Sequence, residues 1–147
     1  MSMIEWNKLR DKAHANSVRH GFWEDNPSDQ HFLCLVISEL MEAVEADRKS
    51  RRADTIAFLD KMEARKTLEY PADTDIYISY QPKRIFEDYI KDTVDDELAD
   101  AAIRLLDLDG ANNLNLNMIC LLNVVTQRKT LTENIFAIVK DLVNYKH

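Results

Sequence analysis

The sequence has few of the residues that make turns: only two glycines and three prolines occur in 147 residues. Sheets and loop-rich folds need more such residues, so this composition favours long helices. Cysteine is also scarce. Cys34 and Cys120 lie in apolar stretches and form no zinc-type or disulfide-type spacing, so we expect two reduced thiols in the core.

Long apolar runs are absent as well. The N-terminal segment MSMIEWNKLRDK lacks the hydrophobic centre of a signal peptide, and stretches such as 119–122 are far too short to span a bilayer. We therefore expect a soluble, cytoplasmic protein that makes no membrane contact.

Charge and size limit the class of partner. The formal net charge of −7 argues against nucleic-acid binding, which needs a basic surface, but allows a phosphorylated small molecule whose charge a divalent cation neutralises. With 46% hydrophobic residues, the chain is predicted to form a single domain over 1–147.

Hydrophobic periodicity predicts an all-α protein with antiparallel neighbouring helices. The predicted helices cover residues 3–20, 29–50, 54–68, 83–109, 114–127 and 131–146. Gly110 is expected to end the fourth helix, and Thr130 or Thr132 to cap the last one. Residues 69–82 contain alternating apolar and polar residues and give a weak strand signal, so about 51–82 is read as an insertion.

Two pairs of carboxylates stand out. Glu39 and Glu42 are three residues apart in one predicted helix, and Glu97 and Asp100 have the same spacing in another. Such residues lie about 60° apart around the helix axis and about 4.5 Å apart along it, so both can reach one ion. Packing of the adjacent apolar stripes would gather all four carboxylates, whose oxygens suit Mg²⁺, or Mn²⁺ as a substitute.

Spacing alone favours a plainer interpretation, in which these residues are ordinary exposed acids on two charged helices. Spacing alone does not separate the four acids from others nearby, such as Glu45 and Asp107, which are equally acidic. Asp107 follows Asp100 by seven residues on nearly the same face, and Arg104 between them could pair with either.

The segments that carry these pairs resemble a known family. Ile37–Lys49 (ISELMEAVEADRK) and Ile90–Gly110 (IKDTVDDELADAAIRLLDLDG), with the upstream loop His20–Asn26 (HGFWEDN), are similar to the MazG-like all-α nucleoside triphosphate pyrophosphohydrolases. The resemblance spans roughly residues 5–50 and 83–112.

The resemblance implies a MazG-like helical bundle, here with an inserted segment and an extra C-terminal helix. It implies that Glu39, Glu42, Glu97 and Asp100 bind Mg²⁺ and form the catalytic site. The expected reaction is hydrolysis of a nucleoside or deoxynucleoside triphosphate to the monophosphate and pyrophosphate. Family members are generally dimers or tetramers, and the apolar stretch 118–125 also favours a homo-oligomer.

The sequence departs from the family pattern at several positions. Ser38 replaces the first residue of a frequent double glutamate, and Thr93 stands where some members have a lysine. The basic tail that holds phosphate in many relatives is replaced by another apolar segment, with candidate contacts at Asn123, Gln127, Arg128 and Lys129. These departures motivate an alternative, a catalytically weak member that binds a nucleotide or a partner.

Candidate substrate contacts follow from side-chain chemistry. Trp23 could stack on a base and Asn16 could read its edge, while Lys91 and Arg48 could hold phosphate. The competing interpretations are that Trp23 covers the core and that the cations are solvated surface charges. A carboxylate-bridged di-iron site is discounted because no histidine follows a glutamate by three residues.

Overall fold

A computed structural model of the chain describes residues 5–67, 74–116 and 130–144. All regular structure in these ranges is helical, which confirms the predicted all-α class. The helices are α1 (Trp6–Arg19), α2 (Asp29–Arg48), α3 (Thr55–Ala64), α4 (Asp75–Ser79), α5 (Pro82–Tyr89), α6 (Val94–Ala111) and α7 (Leu131–Val143). No helix in the described ranges is long and apolar enough to cross a bilayer.

The chain divides into two compact units. One comprises Met1–Met41 and Leu98–His147, and the other comprises Glu42–Glu97. Both boundaries fall inside continuous helices, α2 and α6, rather than in linkers. The single domain over 1–147 therefore stays a prediction.

The first unit has a core built from the apolar stripes of α2, α6 and α7. Its most deeply buried apolar residues are Phe32, Val36, Leu40, Ala101, Leu108, Leu116 and Ile135. Helix α1 approaches α6 at Gly110, where a Cβ would lie 2.5 Å from the Cβ of His14. Asn7 of α1 also binds the segment after α6, because its Oδ1 accepts from the backbone N–H of Leu116 at 2.8 Å. These contacts fix α1 beside the end of α6.

The second unit contains three short helices, each with a defined start. Asp54 accepts a hydrogen bond from the backbone N–H of Ala57 and caps α3, Thr74 caps α4 through Tyr77, and Pro82 occupies the first turn of α5. Of the segment predicted as a weak strand, Asp75–Ser79 is helical, so that prediction is wrong. Residues 68–73 lie outside the described residues.

The predicted helix 83–109 is also wrong, because the chain contains two helices separated by a break at residues 90–93. Asp92 adopts a left-handed conformation with φ 56°. The Thr93 hydroxyl accepts from the backbone N–H of Asp96, which caps α6, and donates to the carbonyl of Ile90 at 2.6 Å. A capping side chain thus occupies position 93, at the start of α6.

Three further expectations have clear outcomes. Gly110 does not end α6, which continues to Ala111. Thr130 rather than Thr132 caps α7, in a capping box with Glu133. Cys34 is a free thiol but is exposed, so its predicted place in the core is wrong. Cys120, most of the predicted helix 114–127 and the apolar stretch 118–125 lie outside the described residues, as do the tail candidates Asn123, Gln127, Arg128 and Lys129.

Candidate metal centre

Glu39 is a buried carboxylate on the apolar side of α2. Its neighbour Leu40 belongs to the core, and only 7% of Glu39 is exposed. Burial of a charged carboxylate is costly unless a cation or hydrogen-bond donors compensate it. Arg104 provides this compensation, because its Nε donates to Glu39 Oε1 at 2.5 Å.

Glu97 and Asp100 are one helical turn apart on α6. Glu97 lies in the first turn of that helix, where the partial positive charge of the helix N-terminus favours a carboxylate. Glu97 is buried and Asp100 is exposed. The sequence predicts that a spacing of three residues directs both side chains to one side of a helix. Both residues do lie in one continuous helix, α6.

Glu39, Glu97 and Asp100 form a cluster able to hold a metal ion. Each offers one carboxylate oxygen, and these three oxygens lie within 4.8 Å of one another. Oxygens bound to Mg²⁺ at about 2.1 Å are separated by about 3 to 4 Å, so side-chain adjustments of about 1 Å would bring all three oxygens onto one ion and leave its other positions for water or substrate oxygens. The donor set is purely carboxylate, which fits Mg²⁺ or Mn²⁺ and does not favour zinc.

Glu42, the fourth predicted ligand, is not in this cluster. It is exposed on α2, one turn after Glu39. The same three-residue spacing brings Glu97 and Asp100 together, so spacing alone does not decide whether a carboxylate joins the group. The structure thus brings together three of the four acids that the motifs identified.

The predicted phosphate-binding cations are exposed. Arg48 contacts Glu45 at 3.1 Å, and Lys49 contacts the same carboxylate at 3.0 Å. Lys49 and Arg48 together lower the pKa of Glu45 below its ordinary value. Lys91 is exposed in the break before α6. Arg48 is therefore engaged in a local surface pair.

Trp23 is anchored by contacts that sequence analysis did not identify. Its Nε1 donates to Asp107 Oδ1 at 3.0 Å, and the same oxygen lies 2.8 Å from His14 Nδ1. The indole also stacks on Phe32, with ring centroids 4.2 Å apart. Trp23 thus packs against the core, as one of the two interpretations expected. Asn16 is exposed and accepts a hydrogen bond from Arg19.

Asp107 joins the aromatic group to the helix that carries the carboxylates. Glu97, Asp100, Arg104 and Asp107 follow one another at spacings of three, four and three residues on α6, so they share one face. Asp100 and Asp107 are about 10 Å apart along the helix axis.

Comparisons of the chain with protein-family models, with curated proteins and with solved structures found no match.

Proposed function

We propose that this chain is a Mg²⁺-dependent hydrolase that converts nucleoside or deoxynucleoside triphosphates to monophosphates and pyrophosphate. The observation that carries the proposal is the cluster of Glu39 on α2 with Glu97 and Asp100 on α6. Two of the three carboxylates are buried, which is uncommon for ordinary surface acids. The resemblance of the surrounding segments to MazG-like enzymes supplies the reaction.

The proposed chemistry divides between the ion and the chain. When bound, Mg²⁺ would neutralise phosphate charge and lower the pKa of a coordinated water. The three carboxylates would hold the ion, and with Arg104 they carry a formal net charge of −2 when ionised, which offsets one divalent cation. Glu42, one turn after Glu39, is the remaining motif carboxylate that could join the ligand set or accept a proton.

Trp23 contacts Asp107, which lies at the far end of the α6 face that carries Glu97 and Asp100. An aromatic ring in this place supports a nucleotide over inorganic pyrophosphate as the substrate. Trp23 is held by Asp107 and Phe32, so its position is fixed before any ligand arrives. A preorganised aromatic ring can contact a base without losing further side-chain entropy on binding. The distance of about 10 Å along the axis between Asp100 and Asp107 lets one ligand reach both ends.

The test is release of pyrophosphate from each of the common ribonucleotides and deoxyribonucleotides with Mg²⁺. We expect cleavage of at least one nucleotide, and loss of at least 100-fold in kcat/KM for Glu97→Gln, which is about 2.7 kcal/mol of transition-state stabilisation. Glu63→Gln, an exposed acid paired with Lys66 on the surface, is the matched control and should retain activity.

Two results would contradict the proposal. Nucleotide binding without any pyrophosphate release would favour the alternative of a catalytically weak binding protein. Equal activity of Glu97→Gln and the unmutated chain would show that the carboxylate cluster does not perform the reaction.

A further inference from the structure

Arg104 is a cation that contacts a carboxylate of the cluster directly. Its Nε donates to Glu39 Oε1 at 2.5 Å, linking residues 65 positions apart in sequence. The Glu39 side chain is only 10% exposed, whereas that of Arg104 is 40% exposed. One end of this ion pair is therefore buried among the proposed ligands and the other reaches solvent.

Arg104 also lies on the α6 face that carries the other two acids. It follows Asp100 by four residues and Glu97 by seven, the spacings that place side chains above one another on a helix. A divalent ion held by Glu39, Glu97 and Asp100 would therefore be close to the guanidinium. The guanidinium is positively charged, so it repels an ion held there.

On the basis of the proposed function, we propose that Arg104 binds two partners in turn. In the metal-free site it neutralises Glu39. In the metal-loaded site its guanidinium binds the phosphates of the substrate. Arg104 therefore weakens the binding of a metal ion without substrate and strengthens the binding of a metal ion together with a polyphosphate.

The chemistry of the guanidinium suits this second role. It has five N–H donors in a planar fork, and only the Nε donor is used in the contact with Glu39. Planar donors match the oxygens of a phosphate group and can bind two of them at once. The partly exposed side chain can reach a ligand that approaches from solvent while it stays near Glu39.

Two binding measurements on the 147-residue chain test the inference. The first is the affinity for Mn²⁺ alone, measured by electron paramagnetic resonance. The second is the affinity for inorganic triphosphate at saturating Mg²⁺, measured by calorimetry. For Arg104→Gln we expect Mn²⁺ to bind about 5-fold more tightly because a competing charge is removed. We expect triphosphate to bind about 10-fold or more weakly because charge-assisted hydrogen bonds are lost.

The opposite signs separate this role from a merely structural one. If Arg104 only oriented Glu39, its removal would weaken Mn²⁺ binding, and that result would overturn the inference. Arg104→Lys keeps the charge without the fork, so its Mn²⁺ affinity should stay within about 2-fold while triphosphate affinity falls. This variant also serves if Arg104→Gln does not fold.

Arg84→Gln is the matched control, since it removes one arginine from an exposed pair with Asp88 on α5. It should change neither affinity. If the unmutated chain binds Mn²⁺ and triphosphate but Arg104→Gln behaves like this control, only the role of Arg104 is overturned. If the unmutated chain binds neither, the proposed function is overturned as well.

Discussion

Gly110 and His14 approach so closely that a Cβ on Gly110 would lie 2.5 Å from the Cβ of His14 and 3.0 Å from its Cγ. No side chain fits there without displacement of α1, because the 2.5 Å contact is with the His14 Cβ, which is attached directly to the α1 backbone. This glycine thus sets the separation of two helices instead of ending one of them.

Gly110→Ala is therefore expected to destabilise the fold by about 1–3 kcal/mol through overpacking. The loss should occur even though alanine is favoured over glycine in helices by about 1 kcal/mol. Urea unfolding followed by circular dichroism measures it. Ala102→Gly, at an exposed site on α6, is the control and should also destabilise, by propensity alone. A more stable Gly110→Ala protein would show that α1 does not pack this closely.

Asp107→Ala should destabilise the chain by about 1–3 kcal/mol, because Trp23 Nε1 and His14 Nδ1 lose their shared acceptor. In a Trp6→Phe background, the fluorescence of Trp23 should also shift to longer wavelength as the ring becomes solvated. Asp25→Ala, at an exposed position in the neighbouring loop, should leave both the unfolding midpoint and the emission maximum unchanged. The same emission maximum in Asp107→Ala would contradict the anchoring role.

Thr130→Ala should cost about 1 kcal/mol of unfolding free energy, because it removes the hydroxyl that accepts from the backbone N–H of Glu133 in the capping box. Thr132→Ala tests the neighbouring threonine, which lies inside α7, and should be neutral or slightly stabilising. Chemical denaturation of the two variants in parallel gives the comparison. Equal losses at the two positions would refute the assignment of the cap.

Asp109 provides a pH-dependent prediction. Burial raises the pKa of its carboxyl above the ordinary value, against the opposing effect of Arg10, and the residue lines a cleft of about 320 Å³ with Leu105 and Leu142. A carboxyl with a raised pKa favours folding while protonated, and this contribution is lost as the pH rises through the folded-state pKa. Asp109→Asn should therefore stabilise the protein at pH 7 relative to the unmutated chain.

At pH 3 the stabilisation by Asp109→Asn should disappear, because both side chains are then neutral. Unfolding midpoints measured across this pH range give the difference directly. A variant that is more stable at pH 3 than at pH 7, relative to the unmutated chain, would reverse the sign and exclude desolvation as the cause.

Added Mg²⁺ should raise the thermal midpoint relative to EDTA, because an ion that binds only the folded state stabilises it by about 2.7 kcal/mol at 100 times Kd. Asp100→Asn should abolish this increase, since it removes an exposed ligand of the cluster. Asp60→Asn, at an exposed position on α3, should retain it. An equal Mg²⁺ response in both variants would mean that the ion binds elsewhere.

Local sequence signals predicted the features that depend on one helix. The spacing of Glu97 and Asp100 is an intrinsic property of one helix, α6. The hydrophobic periodicity of residues 29–50 likewise predicts the helix α2. The same signals failed where a short capping motif interrupted a periodic pattern. Thr93 and Thr74 each begin a helix, although the surrounding residues favoured one long helix at the first position and a strand at the second.

The contacts that complete the candidate site could not be predicted in this way. Arg104 pairs with Glu39, whereas spacing along one helix indicated Asp100 or Asp107 as its partner. Trp23 binds Asp107 across 84 positions of sequence. Both contacts depend on how helices pack, and a carboxylate that is identified only by its spacing does not reveal which cation the fold brings to it.

The break at residues 90–93 has a consequence for how the chain tolerates changes in length. Within one continuous helix, an inserted residue rotates everything on one side of it by about 100° relative to the other. Asp92 and Thr93 end the helical path of α5 and begin α6 as a separate helix. Residues added to or deleted from α5 therefore do not rotate Glu97 and Asp100 around the axis of α6. The segment upstream of the break is thus free to vary in length while the carboxylates keep their direction.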